Sequence, residues 1–310
     1  MEGTQSIEPP DPLRDRFRGA LVGLAVGDAL GAPLEFQPAR SPENYVVDMI
    51  GGGWLKLEPG AYTDDTQMTL CTVESLLTKR VFDHDDIARR FVVWMQSSPP
   101  DIGSHTRAVL TAIAGGKPWE AASRAAQEEN PNNAPNGSLM RCAPLAMFFY
   151  RHPDYAATLS PVLSRITHTH PDCEWSCVFV NVAVALLLAG RDRQEAIYAA
   201  GDACEEASEG VLERVRRAMQ PQNTTSPTGY VLDTLEVAVW CFLHTQSFEA
   251  AVVAAVNRGE DADTVGAVVG ALAGAHYGLS GIPERWLAPL QNRDGLIADS
   301  DRLMELARSS

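Results

Sequence analysis

The chain has 310 residues, 45% hydrophobic and 21% charged, and its 25 Lys+Arg against 40 Asp+Glu leave a formal net charge of −15. It has enough apolar residues to bury a sizeable core and too many for a disordered chain. The acidic balance, with no clustered basic face, excludes a nucleic-acid backbone as the expected partner.

The first residues, MEGTQSIEPPDPLRDRFRG, contain no apolar segment of the secretory type. Residues 1–12 are expected to form a disordered tail ahead of one domain over 13–310. Leu13, Phe17, Leu21 and Leu24 mark one face of a helix over 13–31. The same period predicts helices over 66–80, 85–95, 107–115, 118–128, 139–150, 172–189, 193–207, 232–244, 247–256 and 264–277, and no segment alternates as a strand would. The expected fold is all-α, a single compact multi-helix domain. The longest apolar stretch, Val178 to Gly190, is interrupted by Asn181 and falls short of the ~20 residues a membrane span needs. Six cysteines, at 71, 142, 173, 177, 204 and 241, are too sparse for a disulfide framework, so a reduced, cytoplasmic protein is expected.

Three loops, 50–62, 97–105 and 130–138, each end where a helix begins, and N–H groups at such ends can grip anions or polar substrates. Glycines recur every fourth residue at Gly19, Gly23, Gly27 and Gly31, and again at Gly266, Gly270, Gly274 and Gly278. Glycine inside a helix costs about 1 kcal/mol relative to alanine, so an offsetting gain is expected. The simplest one packs these two helices backbone to backbone, which would bring the start and end of the chain together.

The chemistry-bearing pattern is a repeat of carboxylates and threonines. Thr63-Asp64-Asp65-Thr66 opens one helix and Asp261-Ala262-Asp263-Thr264 opens the second glycine-striped one. Either cluster alone reads most simply as a helix cap. Two of them, each after a glycine-containing loop, make a hard-oxygen ligand set suited to Mg²⁺ or Mn²⁺. Such a density of carboxylates would not be stable when buried without cations between them. Asp28 continues the apolar stripe of the first helix and should face inward as a supporting carboxylate. His168, His170, Cys173 and Cys177 resemble a zinc set, but they crowd into ten residues entering a helix, whereas structural zinc draws its ligand pairs from separated segments.

Six blocks in order resemble the ADP-ribosylglycohydrolases: GALVGLAVGDALGAPLEF (19–36), GGGWLKLEPGAYTDDTQMTL (51–70), PPDIGSHTR (99–107), NGSLMRCAPLA (136–146), ITHTHPD (166–172) and NRGEDADTVGAVVGALAGAHYG (257–278). The GGGW block and the segment 229–234 are similar to the bacterial dinitrogenase reductase-activating branch. The resemblance implies an all-α domain with a dinuclear Mg²⁺ or Mn²⁺ centre in a cleft. It also implies hydrolysis of the N-glycosidic bond between ADP-ribose and an arginine side chain of a protein, which releases ADP-ribose. The implied metal ligands are Thr63, Asp64 and Asp65 on one side and Asp261, Asp263 and Thr264 on the other. The implied catalytic groups are Glu35, Asp64 and Asp101, with Glu35 assisting the water or ligating one ion and Asp101 beside the scissile bond. The implied substrate contacts are Gly103, Ser104, His105, Asn136, Gly137, Ser138, Met140, His168 and Tyr230. Two positions depart from the pattern: Ser104 stands where relatives commonly carry Asn, and Glu260 where many have Gly. The alternatives keep the fold and metals but change the linkage, to O-linked serine, nucleic acid or a free ADP-ribose derivative, or else make the chain a non-enzymatic, crystallin-like descendant. Dinitrogenase reductase is one candidate protein substrate.

Overall fold

The computed structural model describes residues 11–205 and 208–309. The tail expected over 1–12 therefore falls outside the described residues except for its last two. These two belong to the first helix, α1 (Pro12–Gly31), where Asp11 Oδ1 accepts the N–H of Leu13 at 3.0 Å and Pro12 opens the first turn. The chain continues through α2 (Asp64–Lys79), α3 (His84–Gln96), α4 (Ser104–Ala114) and α5 (Trp119–Glu129). The segment expected as one helix over 139–150 divides. A 3₁₀ helix, Asn136–Arg141, precedes α6 (Ala143–Phe148), because Pro144 has no N–H to extend an earlier α-helix and disfavours α geometry in the residue before it.

Next come α7 (Pro153–Arg165), α8 (Pro171–Leu188), α9 (Arg193–Asp202), α10 (Glu209–Ala218) and α11 (Val231–His244). The last elements are α12 (Phe248–Val256), α13 (Ala262–Tyr277), α14 (Glu284–Leu287) and α15 (Arg293–Arg308). The helix expected over 193–207 stops at Asp202, and residues 206 and 207 lie outside the described residues. Helices α7, α10, α14 and α15 were not expected. Pro161 interrupts the pattern of α7. In α15 the buried stripe Leu296, Leu303, Met304, Ala307 is broken by Ser300, whose buried hydroxyl donates to the Leu296 carbonyl at 2.7 Å. Among the described residues the β-pairing is confined to two isolated bridges, Gly52 with Leu57 and Pro135 with Tyr230.

The two glycine-striped helices are in direct backbone contact. A Cβ on Gly19 would lie 2.2 Å from the Gly274 carbonyl oxygen, one on Gly23 2.5 Å from that of Gly270, and one on Gly27 1.9 Å from that of Gly266. This antiparallel register continues to Gly31, where a Cβ would meet the Ala262 carbonyl oxygen at 2.3 Å. It carries the end of α1 onto the start of α13, so Asp28 and Glu35 arrive beside Asp261–Thr264.

A large apolar core surrounds this pair, from Phe17 through α8 to Ala307, with a small second cluster of Leu24, Ala143, Ala267 and Ala271 between them and α6. Segments Pro12–Leu34 and Pro171–Leu188 are long and apolar enough to cross a membrane, but 94% and 78% of their apolar windows are buried inside the fold.

Candidate functional site

Helix ends meet at one place. The end of α1, the starts of α2, α4 and α13, and the 3₁₀ helix Asn136–Arg141 surround a cleft of about 500 Å³. Asp64, Asp65, Asp263 and Thr264 line its floor with Asp261, and Glu35 and Asp101 face them. Carboxylate oxygens of Glu35, Asp101 and Asp263 lie within 4.8 Å of one another, the single such cluster of three ligand-bearing groups among the described residues.

Asp28 shows why the Asp-Thr cluster of α2 does not serve as an ordinary cap. It is fully buried on α1, and its carboxylate accepts the N–H groups of Thr63 (2.9 Å) and Thr66 (3.0 Å) and both threonine hydroxyls, at 2.9 and 2.6 Å. The start of α2 is therefore capped from another helix, and Thr63 itself makes no side-chain cap. Asp64 and Asp65 are left to face the cleft. At α13, Asp261 likewise caps nothing, and its Oδ2 instead accepts a hydrogen bond from Asn136 Nδ2 at 2.9 Å.

Burial pushes the Asp64, Asp65 and Asp263 carboxyls well above the usual carboxylate range, and repulsion from the surrounding carboxylates, Asp28 and Asp261 among them, adds to it. Burial raises Glu35 to about 8, against a lowering hydrogen bond from Trp54, while Asp101 and Asp261 add to the rise. Asp28 is pushed up to about 6 by burial, with the threonine hydrogen bonds opposing. Asp101 is also raised, mainly by burial. Asp65 Oδ1 is buried with no hydrogen-bond partner. An orphaned buried oxygen among crowded carboxylates fits a hard divalent cation, which would supply the missing partner and offset the repulsion.

Of the residues singled out by the sequence, Gly103, Ser104, His105, Asn136, Gly137, Met140 and His168 line the same cleft. Three do not. Thr63 lies beneath it, bonded to Asp28. Ser138 is buried, accepting from Ser164 Oγ at 2.9 Å. Tyr230 turns its hydroxyl to Asp172 Oδ2 at 2.8 Å and forms no wall of the cleft; its backbone pairs with Pro135 instead. The zinc-like set is otherwise engaged: His170 Nδ1 accepts the Asp172 N–H, and Cys173 donates to the Pro135 carbonyl.

Glu260 holds a left-handed backbone (φ 53°), the conformation that favours glycine, and its exposed side chain does not line the cleft. Its main chain clamps the Glu35 loop, accepting from Phe36 N–H at 2.7 Å and donating to the Gln37 carbonyl at 2.8 Å.

Sequence reasoning missed Trp54 and Phe36 at the cleft mouth. Trp54 Nε1–H donates to Glu35 Oε2 at 2.5 Å, and the two rings stand 5.7 Å apart. A tryptophan after three glycines in an expected loop was the available signal.

A sequence model described as ADP-ribosylglycohydrolase matches residues 9–310. The chain belongs to the ADP-ribosylglycohydrolase family. It is 36% identical to an ADP-ribosyl-dinitrogen reductase glycohydrolase of Rhodospirillum rubrum, over 90% of this chain and 91% of that protein. It is 35% identical to the ADP-ribosylarginine hydrolase Tri1 of Pseudomonas putida, over 90% of this chain and 75% of that protein. A solved structure of an ADP-ribosylglycohydrolase-related protein complex superposes with a TM-score of 0.84 at 36% identity, covering 96% of this chain and 99% of that one. The acidic floor lies in the same cleft as the helix starts at Gly103 and Asn136.

Proposed function

We propose that this protein is a cytoplasmic, metal-dependent hydrolase of the N-glycosidic bond between ADP-ribose and an arginine side chain of a protein, reversing mono-ADP-ribosylation. The observation that carries this reading is the cluster of Glu35, Asp101 and Asp263 over the buried Asp64 and Asp65, in a chain similar over nine-tenths or more of its length to hydrolases named for ADP-ribosylarginine. Asp64 and Asp65 on one side, and Asp261, Asp263 and Thr264 on the other, would hold two divalent cations, Mg²⁺ or Mn²⁺, with Thr63 reaching an ion only through the lone pair its hydroxyl keeps while donating to Asp28. When bound, such cations supply Lewis acidity beside the sugar.

The chain's own residues do the rest. Gly103, Ser104 and His105 at the start of α4, with Asn136, Gly137 and Met140, bind the pyrophosphate and ribose through N–H groups and short side chains. Glu35, ionised once cations offset the repulsion around it, takes the proton of the attacking water. Asp101 orients the guanidinium and stabilises the charge that develops on the opening ribose. Residues 13–310 act as one unit, because the site draws on both glycine-striped helices. A mono-ADP-ribosylated protein is the substrate, and dinitrogenase reductase is a candidate.

Side-by-side incubation with ADP-ribosyl-arginine and ADP-ribosyl-serine peptides in Mn²⁺, followed by mass spectrometry, tests this. Release of ADP-ribose from the arginine peptide, stopped by chelation, is expected. Release from the serine peptide alone would refute the linkage assigned here.

A further inference from the structure

Under the floor of the cleft lies a charged side chain whose partners are all neutral. Arg141 is fully buried; its Nη1 donates to the Gly137 carbonyl, its Nη2 donates to Thr167 Oγ1 at 2.6 Å, and the Phe91 ring lies 4.6 Å from its guanidinium carbon. Burial draws its pKa down to about 10, so it remains protonated at neutral pH.

The donor and acceptor roles around it follow one another. A guanidinium has donors only, so Thr167 Oγ1 accepts from Arg141. Thr167 is itself fully buried and has one proton to place; His168 Nδ1 stands 2.6 Å from its oxygen. Donating there satisfies the hydroxyl, whereas accepting a second N–H from the imidazole would leave a buried O–H orphaned. With Nδ1 accepting, a neutral imidazole carries its proton on Nε2.

That nitrogen faces the cleft beside Gly137: Nε2 and Cε1 lie 3.1 Å from where a Cβ at 137 would stand. The neighbouring ring, His105, is fixed in the same way. Its Nε2 is 2.9 Å from the Thr167 carbonyl oxygen and must donate, which leaves Nδ1 to accept from Asn133 Nδ2 at 3.5 Å. The two imidazoles stand 4.7 Å apart. Burial, with His105 and Arg141 nearby, holds His168 well below the usual histidine range and so neutral.

We propose that Arg141 and Thr167 are positioning residues that lock His168 as its Nε2–H tautomer, so that the cleft presents a fixed hydrogen-bond donor to an acceptor oxygen of the ligand beside Gly137. That the ligand is ADP-ribose rests on the function proposed above; the tautomer does not.

The test is long-range ¹H–¹⁵N spectroscopy of the ligand-free full chain labelled on histidine, combined with calorimetry of ADP-ribose binding. The expected wild-type signature for His168 is a bare Nδ1 and a protonated Nε2 across neutral pH. Thr167→Val should let the Nδ1–H form appear and weaken ADP-ribose binding about tenfold, the scale of one neutral hydrogen bond, and Thr167→Ser should restore both. A wild-type His168 protonated on Nδ1, or a Thr167→Val variant with unchanged tautomer and affinity, overturns the proposal. Should Thr167→Val not fold, the wild-type spectrum and the serine variant decide. An Nε2–H signature in a protein that fails to bind ADP-ribose would sustain the lock and overturn the proposed function.

Discussion

Asp101 and Asp64 share a cleft and a carboxylate, yet they are expected to fail differently when changed. Asp101 is half-buried at the entry to α4 and lines the cleft; the proposed function puts it beside the bond to be broken. An interaction made mainly in the transition state is lost from kcat with little change in KM. Asp101→Asn keeps the shape and removes the charge, so cleavage should slow at least ~10²-fold, the lower end for losing one group that stabilises transition-state charge. ADP-ribose should still bind in Mn²⁺. Steady-state kinetics beside calorimetry separates the two quantities, and a near-normal kcat would contradict the role given to Asp101. At this scale the acidic lining of the cleft was legible because two like clusters in one chain are a rare composition. Trp54, Phe36 and the buried Arg141 were not, since each does its work through a contact across tens or hundreds of residues. Tyr230 shows the converse: an aromatic residue beside a motif, which the local backbone turns toward Asp172.

The glycine stripes are a property of two elements together. Because a Cβ on Gly270 would lie 2.0 Å from the Gly23 carbonyl oxygen, backbone rather than a movable side chain stands in the way. Even Gly270→Ala must push α1 and α13 apart, and Gly23→Leu or Gly270→Leu should destabilise by about 1–3 kcal/mol through overpacking. Urea unfolding measures this, and an unchanged midpoint would contradict the contact as described. The four-residue period of both stripes made this pairing readable in the sequence. Several other elements were less legible for local reasons. Pro161 hid α7 and Ser300 broke the stripe of α15, while Pro144 split one expected helix in two. In the first two cases burial against the core outweighs a local signal that argues for a break.

For the molecule as a whole, the acids at the site oppose folding until something balances them. Glu35 and Asp28 have folded values of about 8 and about 6, above their ordinary 4.5 and 3.8. A carboxyl raised in this way favours the folded state while protonated. Its contribution is present below about pH 4 and is lost as pH rises through the folded values, toward 8. Chelated protein should therefore lose thermal stability between pH 5 and 8, and Mn²⁺ should raise Tm more at pH 8 than at pH 5, because it binds the ionised ligands of the folded state alone. Thermal melts at the two pH values, with and without Mn²⁺, check this; an equal Mn²⁺ shift at both would contradict it. The central claim is that the clusters at the starts of α2 and α13 act as one cation site, since each would supply ligands to the same ions. Calorimetric titration with Mn²⁺ tests it most directly. The wild type should bind two ions per chain, and Asp64→Ala and Asp263→Ala should each lose that stoichiometry, whereas full-stoichiometry binding to either variant would contradict the account.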